Sequence, residues 1–213
     1  MKYLIIVFLV CVSFVNITFS QKYNTDTLSK IKQQIILDFL DLSTNDKIAD
    51  IGTGAGFSLV PIAGSNPNIS FIVEDIDSST LNRKKLLAQI KRFGNKADIK
   101  QFSIVYGTTT STNLPTASFN KVLMFDVVHE MSERQTMLND IKRILQKGGS
   151  LFIEEILVHK PQKKDRICNY PFFTEIAFKQ LMTDNNFILI KEKISFETGY
   201  KKYIKMFEYQ TTN

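Results

Sequence analysis

Short apolar runs alternate along this chain with segments in which apolar residues recur every three or four positions. The short runs predict buried strands, and the recurring spacing predicts amphipathic helices. The last two segments alternate apolar and polar residues and predict a hairpin. We therefore expect strands at about 47–51, 69–73, 99–105, 121–126, 151–157, 186–196 and 201–209, and helices at about 25–41, 57–63, 81–93, 134–145 and 174–184.

Strands that alternate with helices predict an α/β fold. We expect a doubly wound, Rossmann-like, seven-stranded sheet that is mostly parallel, with a reversed C-terminal edge strand and helices on both faces. The chain has 213 residues, of which 44% are hydrophobic and 23% charged, and residues 21–213 are in proportion to one globular domain. Neither a repeat nor a second domain is visible in this sequence.

The first predicted strand, 47–51, is followed by glycines at every second position, Gly52, Gly54 and Gly56. A strand, a glycine turn and a helix bring backbone N–H groups close to a ligand at the carboxyl end of the strand. The dinucleotide pattern G-x-G-x-x-G/A would require Gly or Ala at position 57, where this chain has Phe57. This spacing disfavours a nicotinamide dehydrogenase.

Asp50 stands two residues before these glycines, and the run 50–56 resembles motif I of the class I S-adenosylmethionine (SAM)-dependent methyltransferases. Three later segments resemble the same family in the same order, at 75–81, 114–130 and 145–151. The resemblance extends over roughly residues 28–209. It implies that the protein is an enzyme that binds SAM and transfers its methyl group to a small-molecule acceptor.

The resemblance also implies a cofactor site. The glycine turn would surround the methionine end of SAM, and Asp75 would accept hydrogen bonds from both ribose hydroxyls, with Glu74 as the competing acid. Where the family often has an acid that contacts the adenine amino group, this chain has Gly107 and Thr108, which leave that contact to a hydroxyl or backbone group. The predicted cofactor-binding residues are Asp50, Gly52, Thr53, Gly54, Gly56, Asp75, Ile76, Thr108 and Asp126.

In methyl transfer the cofactor carries the reactivity, and the protein supplies alignment and, where needed, a base. His129 is the candidate base, and Glu130 is its candidate orienting residue or a second acid. In an alternative interpretation, His129 packs beneath the pocket as a neutral, hydrogen-bonded residue. We predict no metal site, since the two cysteines have no metal-site spacing.

The net charge of +6 is distributed in short Lys/Arg pairs among acidic residues. This pattern favours a solvated basic surface, and we expect no nucleic-acid partner. The oligomeric state does not follow from the sequence.

The N-terminal segment is separate from the predicted domain. Lys2 precedes an apolar run at 3–14, and the small residues Thr18 and Ser20 suit cleavage after Ser20. Residues 1–20 are therefore expected to be a signal peptide of an exported, periplasmic or secreted protein, or alternatively an uncleaved membrane anchor. Because SAM is made in the cytoplasm, export leaves a second hypothesis, a methyltransferase-like binding protein without catalytic activity.

Overall fold

A computed structural model describes residues 25–94, 96–161, 169–197 and 201–212, and these form a seven-stranded sheet. The strand order is β3-β2-β1-β4-β5-β7-β6, and among these strands β7 runs opposite to the other six. The predicted doubly wound sheet with a reversed C-terminal strand is confirmed, with β7 entering between β5 and β6. The strands are β1 Ile48–Ile51, β2 Phe71–Asp75, β3 Phe102–Tyr106, β4 Phe119–Phe125, β5 Leu145–Val158, β6 Phe187–Glu197 and β7 Lys202–Thr211.

Helices cover both faces of the sheet, as predicted. Neighbouring strand residues point to opposite faces, so Ile48 belongs to one buried cluster and Ala49 to the other. The first cluster contains residues of α1, α2 and α3, and the second contains residues of α4 and α5. The helices are α1 Thr25–Leu40, α2 Leu59–Ser65, α3 Arg83–Phe93, α4 Arg134–Ile144 and α5 Glu175–Asp184.

The strand order places a topological switch point between β1 and β4. From β1 the chain proceeds outward to β2 and β3, and it then returns to place β4 on the other side of β1. Ligands of doubly wound sheets bind in the crevice outside the carboxyl ends of the strands at such a point. The turn after β1 and the loop after β4 meet there.

Several boundaries differ from the sequence expectation, most of all the start of β5 at Leu145 in place of 151. Two of the differences have a local reason. Residues 99–101 form a 3-10 turn in place of the start of a strand, because Asp98 and Gln101 make a reciprocal capping box. Helix α3 begins after Asn82, whose side chain accepts the N–H of Lys85. Gly94 ends this helix with a φ of +57°.

Within the described residues, each helix is too short or too polar to cross a membrane. Residues 1–20 lie outside the described part of the chain, so the signal peptide and the anchor both remain predictions.

Candidate functional site

The turn after β1 packs tightly at one glycine and faces open space at another. A Cβ at Gly52 would collide with the side chain of Val127, which belongs to the loop after β4. Gly54 has a φ of +55°, a region that L side chains disfavour, and a Cβ there would meet no protein atom within 4 Å. The backbone of the turn is therefore open to a ligand at Gly54.

The carboxylate of Asp75, at the tip of β2, holds this turn in place. Its Oδ2 accepts the N–H of Gly54 at 2.8 Å, and its Oδ1 accepts the N–H of Asp77 at 2.9 Å. The Thr53 N–H donates to the carbonyl of Glu74 at 2.9 Å and ties the same turn to β2 a second time. A carboxylate has about four acceptor positions, so Asp75 retains acceptor capacity for hydroxyl groups of a ligand.

A cleft of about 650 Å³ opens above the turn, within the size range of small-molecule sites. The loops after β1, β2, β3 and β4 all contribute to its walls. The predicted site residues that line it are Gly52, Gly54, Asp75, Ile76, Thr108, Asp126 and Glu130. Further lining residues that sequence reasoning had not assigned to the site include Ala55, Phe57, Asp77, Thr80, Thr109, Met131, Ser132, Met137 and Tyr170.

Four of the predicted site residues do not line the cleft. Thr53 supports the turn through its backbone bond to β2 and through its hydroxyl, which donates to the Asp50 carbonyl at 2.9 Å. Gly56 closes the turn by donating its N–H to the Thr53 carbonyl. Asp50 and His129 are both buried, 2% and 1% exposed, behind the surface of the cleft.

Two buried acids lie under the glycine turn. Asp50 and Glu74 each have one carboxyl oxygen without a hydrogen-bond partner among the described residues. Burial, together with the charge of Asp75, raises the pKa of Asp50 to about 7 and that of Glu74 to about 8. Hydrogen bonds from Thr53 to Asp50, and from the Gly52 N–H to Glu74, oppose these rises in pKa. Glu74 is therefore mostly uncharged at neutral pH.

The side chain of Glu74 also explains the glycine that follows β3. A Cβ at Gly107 would collide with Oε1 of Glu74. The acid at this side of the cleft therefore comes from β2, and the Thr108 hydroxyl instead accepts the Ser111 N–H at 3.0 Å. Glu74 entered the sequence analysis only as a competitor of Asp75.

His129 is held behind the cleft by an acid that the sequence analysis missed. Its Nδ1 lies 2.6 Å from Oε1 of Glu155 in β5, and the ring of Phe172 packs against it edge-on, 4.8 Å between centroids. Burial lowers the pKa of His129, but the hydrogen bond and charge of Glu155 outweigh it, so the pKa is raised overall. The available signal was a pair of acids inside the apolar run 151–157, since buried acids are normally paired.

The loop after β4 places two acids at the surface of the cleft. The Asp126 N–H donates to the Glu154 carbonyl at 2.7 Å, and the Asp126 side chain is 42% exposed. Oε1 of Glu130 lies 3.7 Å from Nε2 of His129. Of the two predicted catalytic residues, Glu130 is therefore the one that can touch a bound molecule.

The replacement Glu74→Gln tests the buried acid. The folded protein retains the Glu74 proton up to about pH 8, whereas the unfolded chain releases it near the ordinary pKa of 4.5. The stabilisation that this proton provides is fully present below the pKa that Glu74 has in the unfolded chain. It is lost as the pH rises through the higher pKa that Glu74 has in the folded protein. Because the amide does not titrate, the variant's free energy of unfolding should fall by about 2–4 kcal/mol less than the wild type's between about pH 5 and 8.

Urea unfolding of the full-length chain across this pH range measures the difference. Hydrogen bonds from Ser79 lower the pKa of Asp77, an exposed acid of the same cleft. The control variant Asp77→Asn should therefore keep the wild-type loss of stability at the alkaline end. If the free energy of unfolding changed with pH in the same way in the wild type and in Glu74→Gln, the raised pKa of Glu74 would be contradicted.

Comparison with known proteins agrees with this geometry. Residues 49–153 match a family model described as a methyltransferase domain. YrhH of Bacillus subtilis, whose name assigns it provisionally to the methyltransferases, is 28% identical over 135 residues, 63% of this chain and 69% of that protein. A tRNA U34 carboxymethyltransferase of Dichelobacter nodosus is 29% identical over 130 residues, 61% of this chain and 39% of that protein.

A solved structure has the same fold. The crystal structure of a SAM-dependent methyltransferase from Aquifex aeolicus is similar with a TM-score of 0.64 at 18% identity, covering 90% of this chain and 100% of that chain. The family match contains the glycine turn, Asp75 and the loop after β4, which together form the cleft. The chain belongs to the class I SAM-dependent methyltransferase family.

Proposed function

We propose that the protein binds SAM in the cleft above the glycine turn and transfers its methyl group to a small molecule. The observation that carries the proposal is the Asp75 carboxylate, which is fixed on the Gly54 N–H at the floor of a cleft of about 650 Å³. The acid and the turn were predicted from separate motifs, and they meet at one place on the sheet.

The residues present fit the cofactor. Asp75 offers free acceptor positions to the two ribose hydroxyls. The apolar side chain of Ile76 is 56% exposed in the same wall and offers a surface for the adenine ring. The open backbone at Gly54 leaves space that a side chain would fill. Bound SAM supplies a methyl group on a sulfonium, a carbon that is already activated for transfer.

The end of the cleft beside the loop after β4 would receive the methyl acceptor, and we call it the acceptor end. Asp126 and Glu130 line it together with Met131 and Tyr170. The Glu130 carboxylate is 47% exposed and can accept a proton from an acceptor hydroxyl or amine, whereas His129 is buried behind it. We therefore assign the proton-accepting role to Glu130 and a supporting role to His129.

The charge of the cleft favours a small, neutral or cationic acceptor. Besides the mostly uncharged Glu74, the described lining residues include four acids and no lysine or arginine, the acids being Asp75, Asp77, Asp126 and Glu130. A nucleic-acid acceptor would bring phosphates, which bind to basic surfaces. The tRNA named for the Dichelobacter nodosus relative is therefore a less suitable acceptor for this cleft.

The variant Gly54→Val tests the position of the cofactor. Its side chain would project into the cleft without meeting protein atoms, so SAM binding should weaken by at least about tenfold, which is about 1.4 kcal/mol. Gly94→Val is a matched control, because Gly94 also has a positive φ, +57°, and also has open space around its Cβ position. Both variants should lose about 1–2 kcal/mol of stability from the left-handed backbone.

Isothermal titration of SAM into the full-length proteins measures the affinities, and thermal unfolding measures the stabilities. Only Gly54→Val should lose affinity for SAM. Equal affinity in the two variants would place the cofactor elsewhere.

The acceptor class is tested with SAM that carries a labelled methyl group. The full-length protein is incubated with an extract of its native host, and label is measured in low-mass, RNA and protein fractions. We expect label in the low-mass fraction, and label in RNA alone would contradict the proposed acceptor. SAM binding without any transferred label would favour the binding protein without catalytic activity, and no SAM binding would contradict the whole proposal.

A further inference from the structure

Three side chains that could bind a metal ion converge at the acceptor end of the cleft. Asp126 follows β4, His129 lies in the short turn Val128–Glu130, and Glu155 lies in β5, which pairs with β4. One potential ligand atom from each lies within 4.8 Å of the other two. Nδ1 of His129 is 2.6 Å from Oε1 of Glu155 and 3.8 Å from Oδ1 of Asp126.

Three carboxyl groups surround one imidazole in this group. The carboxylates of Asp126, Glu130 and Glu155 all lie within 3.8 Å of a ring nitrogen of one histidine. Glu155 is completely buried, and its Oε2 has no hydrogen-bond partner among the described residues. A buried carboxylate oxygen without a partner is costly, and a bound cation would remove that cost.

We infer that Asp126, His129 and Glu155 bind a divalent cation. Two carboxylates and an imidazole suit ions such as Mn²⁺, Fe²⁺ or Zn²⁺. Ligand atoms about 2.1 Å from an ion, at right angles, are about 3 Å apart. The two separations that involve His129, 2.6 and 3.8 Å, each differ from this value by less than about 1 Å, and the ion would replace the hydrogen shared by His129 and Glu155.

The surroundings of the three ligands match those of metal sites. A histidine that binds a metal usually donates its second ring N–H to a carboxylate, and the Glu130 carboxylate, 3.7 Å from Nε2 of His129, is within about 1 Å of such a hydrogen bond. Phe172 forms an apolar wall against the same ring. Asp126 lines the cleft and is 42% exposed, so the free coordination positions of the ion would face the cleft.

An ion in this position would bind an oxygen of a molecule at the acceptor end of the cleft. The binding of the ion itself does not depend on SAM, whereas this preference for an oxygen-bearing acceptor rests on the proposed function. No metal-site spacing is visible in the sequence, because Glu155 lies 26 positions after His129 and is brought to it by the pairing of β4 with β5.

The test is the binding of Mn²⁺ to the full-length chain, measured from the electron paramagnetic resonance signal of free Mn²⁺. We expect one site per chain, and both Glu155→Gln and Asp126→Asn should weaken it by at least about tenfold. If Glu155→Gln fails to fold, Asp126→Asn still tests the site, because the Asp126 side chain is partly exposed.

Glu154→Gln is the matched control. Glu154 is the adjacent residue of β5 and is also buried, 3% exposed, but its side chain points to the opposite face, where it contacts Lys32 and Ser195. This variant should bind Mn²⁺ as the wild type does. Unchanged binding in Asp126→Asn and Glu155→Gln, equal loss in Glu154→Gln, or no binding of Mn²⁺ or Zn²⁺ at millimolar concentrations would overturn the inference.

Titration of SAM into the same preparations separates the two proposals. Mn²⁺ binding without SAM binding would support the ion site and contradict the proposed function. SAM binding without binding of Mn²⁺ or Zn²⁺ would overturn the ion site and leave the proposed function standing.

Discussion

The hydrogen bond from the Gly54 N–H to the Asp75 carboxylate is the constraint on which the candidate site depends. It joins the turn after β1 to the tip of β2, whose ends are adjacent because Ile51 pairs with Glu74 in parallel register. The same bond directs Asp75 to the floor of the cleft and fixes the open backbone of the turn beside it. Since β4 lies on the other side of β1, its loop supplies the opposite wall.

The charges of the acids near this hydrogen bond depend on how deeply each acid is buried. Asp50 and Glu74 lie under the turn, where burial raises the pKa of each carboxyl, to about 7 and about 8, and thereby reduces the charge beneath Asp75. The exposed acids, such as Asp126 and Glu130, remain at the surface of the cleft. A positively charged sulfonium cofactor is consistent with this distribution, and so is a cation among the acids behind Asp126.

The sequence predicted those parts of the site that depend on strand order. Asp75 and the glycine turn meet because consecutive parallel strands end at one edge of the sheet, so their motifs sufficed. The position of His129 depends on Glu155, which lies 26 positions further along the chain and reaches it only through the pairing of β4 with β5. The sequence therefore left open whether His129 is buried or faces the cleft. The start of α3 after Asn82, two residues later than expected, was missed because several nearby residues can cap a helix equally well.

In the proposed complex, the Asp75 carboxylate and the Gly54 backbone form one binding surface for a sulfonium nucleoside. A crystal structure of the protein with S-adenosylhomocysteine would show this surface occupied. We expect both ribose hydroxyls within hydrogen-bond distance of Asp75 and the amino-acid end of the ligand over the turn from Gly52 to Gly56. A ligand bound elsewhere, or a ribose that does not contact Asp75, would contradict this expectation.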